Sequence, residues 1–212
     1  MANFSKSEKA ILNKQAQILP DGALTRVPNW LSETEQTRLQ QAMQDYPWES
    51  PEIKVFGRWH QIPRQQVWFA FEAASYRYSG KDHIALAMPQ ELRELCARIN
   101  EQWGIEMNSV LLNHYCDGRD SMGWHADNES ELAPNQPIVS LTLGAARDFI
   151  LRHNTSKQRV KLPLNPGELL IMWPPMQHHW QHSVPKRASA DPRINLTFRC
   201  LSALSESAAD QQ

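Results

Sequence analysis

The sequence RINLTFR, from Arg193 to Arg199, alternates polar and apolar residues along its whole length. This alternation predicts a β-strand whose apolar side chains share one face. The other face carries Arg193, Asn195 and Arg199. If that face points into a barrel, two guanidinium groups are buried, which is costly unless an anion neutralises them. An ordinary outward polar face explains the spacing equally well, so the alternation alone leaves both interpretations open.

Other short runs of β-forming residues precede this strand and are separated by turn residues. Gly144, Gly167 and the Pro174–Pro175 pair mark breaks between them. The predicted strands span residues 110–116, 138–143, 148–153, 160–164, 168–173, 179–184 and 194–199. Short strands at this close spacing predict a sandwich or barrel rather than a parallel sheet. We therefore expect a mainly β (α+β) fold.

The first half of the chain predicts two helices. Ser32 and Glu35 form a capping-box pattern that begins a helix running to about residue 45. Pro89 suits the first position of a second helix, which apolar spacing continues as far as Gly104. We expect a flexible lead over residues 1–20, a region with these helices over 21–108, a β core over 109–200 and a flexible tail over 201–212, in one compact domain.

Composition limits the classes of protein that fit. Of the 212 residues, 41% are apolar and 21% are charged, and no apolar run approaches the roughly 20 residues of a membrane span. Three widely spaced cysteines favour a reducing compartment over a disulfide framework. The polar N-terminus lacks a secretion signal, so we expect a cytoplasmic protein in a prokaryote or a nuclear one in a eukaryote. The net charge of −1 requires any nucleic-acid partner to be held by local patches.

One segment offers candidate metal ligands. His125 and Asp127 are two residues apart, so in an extended stretch both project to the same face. A third ligand must come from elsewhere, and alternation does not choose between His178 and His182. Two histidines and a carboxylate form the triad that leaves three positions open on non-haem Fe(II). An isolated His-x-Asp pair is more often a surface hydrogen-bonded pair, so the spacing alone does not establish the site.

The second half of the chain resembles a known family over close to ninety residues. The matching motifs are Asn113-His114-Tyr115, Asp117-Gly118, His125-Ala126-Asp127, Leu132-Ala133-Pro134, Ser140 to Gly144, Arg147-Asp148-Phe149, His179 to Pro185, and Arg193 to Arg199. In this order they resemble the catalytic core of the AlkB-type Fe(II)- and 2-oxoglutarate-dependent dioxygenases. The resemblance is strongest to the branch that repairs alkylated DNA in animals.

The resemblance implies a double-stranded β-helix (jelly-roll) core, with the N-terminal helices packed outside it and a nucleotide-recognition lid. It implies that the iron ligands are His125, Asp127 and His182. It also implies 2-oxoglutarate contacts at Asn113, Tyr115, Arg193 and Arg199, with Asn195 on the same lining. We expect Arg199 to bind the far carboxylate of 2-oxoglutarate and Arg193 to lie at its keto-acid end.

The implied reaction is oxidative demethylation of bases in alkylated DNA by O2, releasing formaldehyde, succinate and CO2. The family resemblance points to 1-methyladenine and 3-methylcytosine. It places Phe56 and Arg58 in a DNA-probing hairpin, Tyr76 and Tyr78 against the extruded base, and Glu129 near the base amine. Where the family branch often has two acids after the metal-binding aspartate, this chain has Asn128, which leaves base preference open.

A basic stretch supports a nucleic-acid partner. Arg147, Arg152, Lys157, Arg159 and Lys161 face a single nearby acid, Asp148. A loop this basic is usually a solvated turn, but on a nucleic-acid enzyme it would hold a phosphate backbone.

Other functions remain open on the sequence. The same chemistry on RNA or on a protein side chain is the nearest alternative, and a non-catalytic jelly-roll nucleic-acid-binding module is an alternative of another class. A zinc hydrolase would use similar ligands but gives no role to the paired arginines. We expect a monomer that does not bind membranes.

Overall fold

Two β-sheets form the centre of this protein, and their strands pair antiparallel except for one short parallel pair at the edge of the larger sheet. The computed structural model describes residues 16–55, 57–71, 75–78 and 81–202. The helices are α1 (Glu33–Ala42), which continues as a 3-10 turn over Met43–Asp45, α2 (Gln90–Trp103) and α3 (Met176–His179). The strands of the first half are β1 (Ala16–Leu19), β2 (Gly22–Val27), β3 (Glu52–Val55), β4 (Arg58–Gln61), β5 (Gln65–Ala70), β6 (Ser75–Tyr78), β7 (Lys81–Ile84) and β8 (Leu86–Ala87). The strands of the second half are β9 (Ser109–Tyr115), β10 (Met122–His125), β11 (Ile138–Gly144), β12 (Arg147–His153), β13 (Arg159–Leu164), β14 (Leu169–Trp173), β15 (Trp180–Val184) and β16 (Arg193–Arg199).

The order of the strands identifies the architecture. The larger sheet has the order β1-β2-β14-β11-β16-β9-β5-β8, and the smaller has the order β10-β15-β12-β13. From β9 to β16 the chain passes back and forth between the two sheets. This is the double-stranded β-helix, so the predicted jelly-roll core and the mainly β fold class are confirmed. Strands β3–β4 and β6–β7 form separate hairpins.

Two apolar clusters hold these layers together. One joins α2 to the outer face of the larger sheet and includes Leu92 and Ile99 of the helix and Leu196 and Phe198 of β16. The other lies between the sheets and includes Phe149 and other residues of both. The expected packing of the N-terminal helices outside the β core is therefore confirmed.

The polar face of β16 points into the barrel, and its apolar face points outward. Leu196 and Phe198 are fully buried beneath α2, on the outer face of the larger sheet. Asn195 and Arg199 line a chamber together with His182 of the smaller sheet. Of the two interpretations that the sequence left open, the structure supports buried guanidinium groups inside the barrel.

Local signals set the ends of the helices. Ser32 caps α1, and the reciprocal bonds between Ser32 and Glu35 form the predicted capping box. Pro89 is the N-cap of α2 rather than its first residue. Gly104 ends α2 in the left-handed conformation, as predicted.

The structure differs from the expected boundaries in several places. Residues 16–19, expected in a flexible lead, form β1 and pair with β2. The first residues of the expected tail are also ordered, because Leu201 bridges to Leu132. Strands β2 and β5 belong to the larger sheet, so residues 21–108 contribute to the core as well as covering it. His178 lies on α3 and not on a strand with His182.

A close backbone approach at Gly144 positions the start of β16. Gly144 has a φ of 78° and pairs with Arg193 across the sheet. A Cβ atom at this position would lie 2.4 Å from the carbonyl oxygen of Pro192. Only glycine satisfies both the torsion angle and the contact.

We expect Gly144→Ala to lower the free energy of unfolding by about 2–4 kcal/mol, because it adds backbone strain and a steric clash. Gly104→Ala is the matched control. Gly104 also has a positive φ, of 63°, but nothing lies within 4 Å of its missing Cβ, so strain alone should cost about 1 kcal/mol. Urea unfolding of both variants measures the difference, and equal losses would rule out the close approach as the cause.

Candidate active site

His125, Asp127 and His182 converge between the two sheets. His125 ends β10 and lies opposite His182 of β15 in the antiparallel register. The two ring centroids are 4.1 Å apart, and Asp127 Oδ2 is 3.4 Å from His182 Nε2. One potential ligand atom from each residue lies within 4.8 Å of the other two. The structure thus brings together the three residues expected to be ligands, although Asp127 lies in the loop after β10 rather than on the strand.

Neighbouring groups orient His125 and contact His182, and they set the charge of His125. His125 Nδ1 is 2.9 Å from the carbonyl oxygen of Gly123, which can only accept, so the ring proton is on Nδ1 and Nε2 keeps its lone pair. The Phe149 ring stacks on His182 at 4.9 Å. Burial, together with the neighbouring His182, lowers the pKa of His125 to about 3. His125 is therefore neutral near pH 7, the form that binds metal.

Asp127 is buried and ionised. Burial by itself raises the pKa of its carboxyl group, but the charge of Arg199 and the hydrogen bond with His182 outweigh that effect and lower it. Its Oδ1 accepts a hydrogen bond from Arg199 Nη2. Its backbone N–H donates to Gln177 Oε1 at 3.0 Å, which ties the loop to α3.

This set of donors fits a divalent transition metal. It offers two imidazole nitrogens and one carboxylate on one side of a chamber, which is the arrangement typical of non-haem Fe(II). The chamber beside it provides room for further ligands. The same residues would also accept Mn(II), which prefers oxygen and nitrogen donors.

A second group of potential ligands is found in the described part of the chain, but its hydrogen bonds do not suit a metal. It consists of Asp21, His153 and His179. His153 Nδ1 accepts from the backbone N–H of Ser156 at 3.1 Å, so the ring proton is on Nε2, which faces Asp21 at 3.2 Å. A protonated nitrogen has no lone pair to give a metal. This pair instead anchors the turn between β1 and β2 to β12.

Polar side chains of the larger sheet line the chamber next to the triad. Four of them were expected to contact the co-substrate: Asn113, Tyr115, Asn195 and Arg199. The hydroxyl groups of Ser140 and Thr197 complete the polar lining. Arg193 lies against this lining, with its guanidinium carbon 5.4 Å from the centre of the Tyr115 ring. All five residues expected to bind 2-oxoglutarate thus lie in one region of the structure.

Arg193 is a buried cation with unused hydrogen-bond donors. Only 1% of it is exposed, and its Nη2 donates to Thr142 Oγ1 and to Asn195 Oδ1. Its Nε and Nη1 have no hydrogen-bond partner among the described residues. Burial lowers its pKa to about 10, so it stays charged near pH 7. A buried guanidinium group with two free donors fits a carboxylate.

The structure supports the opposite assignment of the two arginines from the one expected. Arg199 bonds to the candidate metal ligand Asp127, so it lies at the metal end of the chamber. Arg193 lies at the other end of β16, beside Tyr115. This geometry favours Arg193 over Arg199 for the far carboxylate, the reverse of the expectation, because alternation gives the face of a strand and not the end nearest the candidate metal ligands.

An outer pocket joins the chamber and contains one of the expected substrate residues. Glu129 lines it beside His125 and Asp127. The rest of its lining is mostly apolar and includes Trp68, Leu111, Met122, Leu132 and Leu201. An apolar pocket with a few polar groups is suited to a planar ring.

The remaining expected substrate residues lie in the two hairpins. Arg58 is exposed on β4. The backbone of Tyr76 and Tyr78 belongs to β6, but their side chains are not described. Phe56 lies outside the described residues.

The basic stretch is smaller than the sequence indicates. Arg147 is only 1% exposed, and its Nη2 donates to the carbonyl oxygens of Asp120 and Pro185. Arg147 therefore links the loops that contain Asp120 and Pro185, and it does not belong to a surface patch. Lys161 is paired with Asp148 at 3.0 Å.

Sequence reasoning missed the roles of Arg64 and Gln177. Arg64 is buried and donates to Asn113 Oδ1 at 2.7 Å. Gln177 holds the Asp127 loop. No spacing in the sequence links either residue to its partner, so neither contact had a detectable signal.

No helix among the described residues is both long and apolar enough to cross a lipid bilayer.

We expect the protein to bind one equivalent of Mn(II), and Asp127→Asn to weaken this binding by at least about 100-fold because one charged ligand is lost. Asp21→Asn is the matched control, since it removes a carboxylate from the other His/Asp group. Isothermal titration calorimetry measures both variants. Loss of Mn(II) binding in the Asp21 variant instead would contradict the assignment of the site.

Comparisons with known proteins agree with this geometry. The family model of the 2OG-Fe(II) oxygenase superfamily matches residues 23–199. The DNA oxidative demethylase ALKBH2 of Mus musculus is 40% identical over 171 residues, covering 76% of this chain and 71% of the relative. The human ALKBH2 is 40% identical over 156 residues, covering 69% of this chain and 60% of the relative. The human alpha-ketoglutarate-dependent dioxygenase alkB homolog 3 is 38% identical over 171 residues, covering 76% of this chain and 59% of the relative.

A solved structure shows the same fold. The structure of OsALKBH1 has a TM-score of 0.62 and 17% sequence identity, covering 87% of this chain and 99% of that chain. Because the family model spans most of the chain and the mouse relative shares two residues in five with it, this chain belongs to the 2OG-Fe(II) oxygenase superfamily and, within it, to the AlkB-type dioxygenases.

Proposed function

We propose that this protein removes methyl groups from alkylated bases in DNA, using Fe(II), 2-oxoglutarate and O2. The observation that carries the proposal is the His125–Asp127–His182 set beside the buried Arg193, whose free donors fit a carboxylate. Relatives at about 40% identity are named DNA oxidative demethylases. The products are formaldehyde, succinate and CO2, and the expected substrates are 1-methyladenine and 3-methylcytosine.

Each residue of the metal end has a defined task. His125, Asp127 and His182 would hold the iron, which when bound supplies the oxidising chemistry that couples 2-oxoglutarate decarboxylation to hydroxylation of the methyl group. Arg199 keeps Asp127 ionised and fixes its orientation. Phe149 covers one face of His182 and keeps water from it.

The other end of the chamber binds the co-substrate. Arg193 holds the far carboxylate of 2-oxoglutarate with its two free donors. Tyr115 and Asn195, which contact Arg193, complete that end, and Asn113 presents a side-chain amide to the same chamber. This arrangement selects a diacid, because a monoacid would leave the buried Arg193 without an anion.

The substrate base enters from the outer pocket. Its apolar lining suits a flipped-out base, and Glu129 offers an acceptor for an exocyclic amine. We propose that Arg58 contacts a phosphate, that Phe56 wedges into the base stack and that Tyr76 and Tyr78 stack on the extruded base. Lesions that already break base pairing cost less to extrude, so recognition needs no reading of sequence.

The reaction gives the direct test of the proposal. The wild-type protein is expected to release formaldehyde and succinate in equal amounts from oligonucleotides containing 3-methylcytosine, only when Fe(II) and 2-oxoglutarate are both present. Asp127→Asn should reduce release to background, because the metal is lost. The same lesion in DNA and in RNA of identical sequence is assayed side by side. Faster turnover of RNA would make RNA, rather than DNA, the substrate. No turnover of either would contradict the proposed function.

We expect Arg193→Met to weaken 2-oxoglutarate binding to the Mn(II)-loaded protein by at least about 30-fold, since losing one partner of a buried charge pair costs about 2 kcal/mol or more. Arg187→Met is the matched control. Arg187 is half-exposed and donates to Asp148 at 2.6 Å, away from the chamber lining. Titration calorimetry measures both variants. Unchanged binding of 2-oxoglutarate in the Arg193 variant would contradict the proposed role of Arg193.

A further inference from the structure

The side-chain amide of Asn113 is held in one orientation. Its Oδ1 accepts a hydrogen bond from Arg64 Nε at 2.7 Å, and both residues are buried. A guanidinium group only donates, so it cannot pair with the NH2 group of an amide. Arg64 therefore selects the orientation in which Nδ2 and its two hydrogens point away from Arg64.

That orientation suits an anion in the chamber. Asn113 lines the chamber, and on β9 it lies directly opposite Asn195 of β16 in the register. With Oδ1 occupied, the amide presents donors rather than an acceptor to the chamber. A flipped amide would direct a carbonyl oxygen toward a carboxylate, which is repulsive.

Backbone hydrogen bonds hold the segment that carries Arg64. The Ile62 N–H donates to the Pro51 carbonyl at 2.9 Å, at the base of the β3–β4 hairpin. The Ser121 N–H donates to the Pro63 carbonyl at 2.9 Å, just before β10, which carries His125. Arg64 itself follows this junction and precedes β5, whose Gln66 is paired with Asn113 across the sheet. The backbone around Arg64 is thus held by three neighbouring parts of the fold.

Arg64 also lines the outer pocket, together with Glu129. It therefore lies between the pocket where the base is proposed to enter and the chamber where the co-substrate is proposed to bind. No other residue of the described chain donates a side-chain hydrogen bond to Asn113 Oδ1.

We propose that Arg64 is a positioning residue for the co-substrate: by occupying Asn113 Oδ1, it turns the amide so that its NH2 group donates to 2-oxoglutarate. This inference rests on the proposed function, since it takes 2-oxoglutarate as the ligand of the chamber. Arg64 acts through Asn113 and is not a metal ligand, so its removal changes co-substrate affinity and leaves metal affinity intact.

A double-mutant cycle tests the proposal. The variants are Arg64→Met, Asn113→Ala and the double variant, each loaded with Mn(II), and the measured quantity is the Kd of 2-oxoglutarate by titration calorimetry. We expect Arg64→Met to raise this Kd by about 10-fold, because the amide is then free to present its oxygen. In the Asn113→Ala background the same change should have no further effect, since the group through which Arg64 acts is gone.

Two further measurements separate positioning from stability. The Mn(II) affinity of Arg64→Met should equal that of the wild type, whereas a collapsed site would lose it. Arg119→Met is the matched control, because the Arg119 side chain is 88% exposed and pairs with Asp117; its 2-oxoglutarate affinity should be unchanged. If Arg64→Met does not fold, Arg64→Lys and Arg64→Gln provide the comparison: lysine also only donates and should restore most of the affinity, whereas glutamine can accept from a flipped amide and should not.

The outcomes are distinct. Wild-type affinity in Arg64→Met, or additive effects in the cycle, would overturn the positioning role while leaving the proposed function in place. Failure of the wild-type protein to bind 2-oxoglutarate at all would overturn the proposed function itself.

Discussion

Strand β16 buries two guanidinium groups between the sheets, and each needs a negative partner there. Arg199 has one within the chain, because Asp127 lies beside it and is held ionised by it. Arg193 has only neutral partners among its hydrogen bonds in the described residues, and two of its nitrogens are unused. The two ends of this one strand therefore differ: one faces the candidate metal ligands, and the other carries a cation that suits a carboxylate.

Some strands of the β core could be predicted from alternation because their two faces have different surroundings, whereas β11 and β14, which are buried on both faces, were predicted from their runs of β-forming residues. In β16 the apolar face packs beneath α2 and the polar face lines the chamber, so the sequence alternates. Strands β2 and β10 lack that signal. Most of β2 is buried on both faces, and β10 is a short strand containing Gly123 that ends at His125. Periodicity identifies a strand only where its two sides differ.

The candidate site shows the same limit. The ligand set and the chamber residues were predicted from motifs, since each motif lies on a strand or directly after one. The order of Arg193 and Arg199 along the chamber was not, because it depends on where the Asp127 loop meets β16 in three dimensions. Arg147 was expected at the surface for a similar reason: a run of basic residues does not show that the first of them turns inward to bond Asp120 and Pro185.

The hydrogen bond from Arg199 also limits how Asp127 can act. It occupies Oδ1, and the backbone of the same residue is held by Gln177, so the carboxylate cannot rotate freely. Only Oδ2 is directed toward His182. A carboxylate that offers one oxygen takes one coordination position, whereas one that offers both takes two. In the proposed function a co-substrate and O2 would both need room at the metal, and an aspartate restrained to a single oxygen would leave that room. Arg199 thus contributes by restricting the orientation of the Asp127 carboxylate. Arg193 contributes its own unused hydrogen-bond donors.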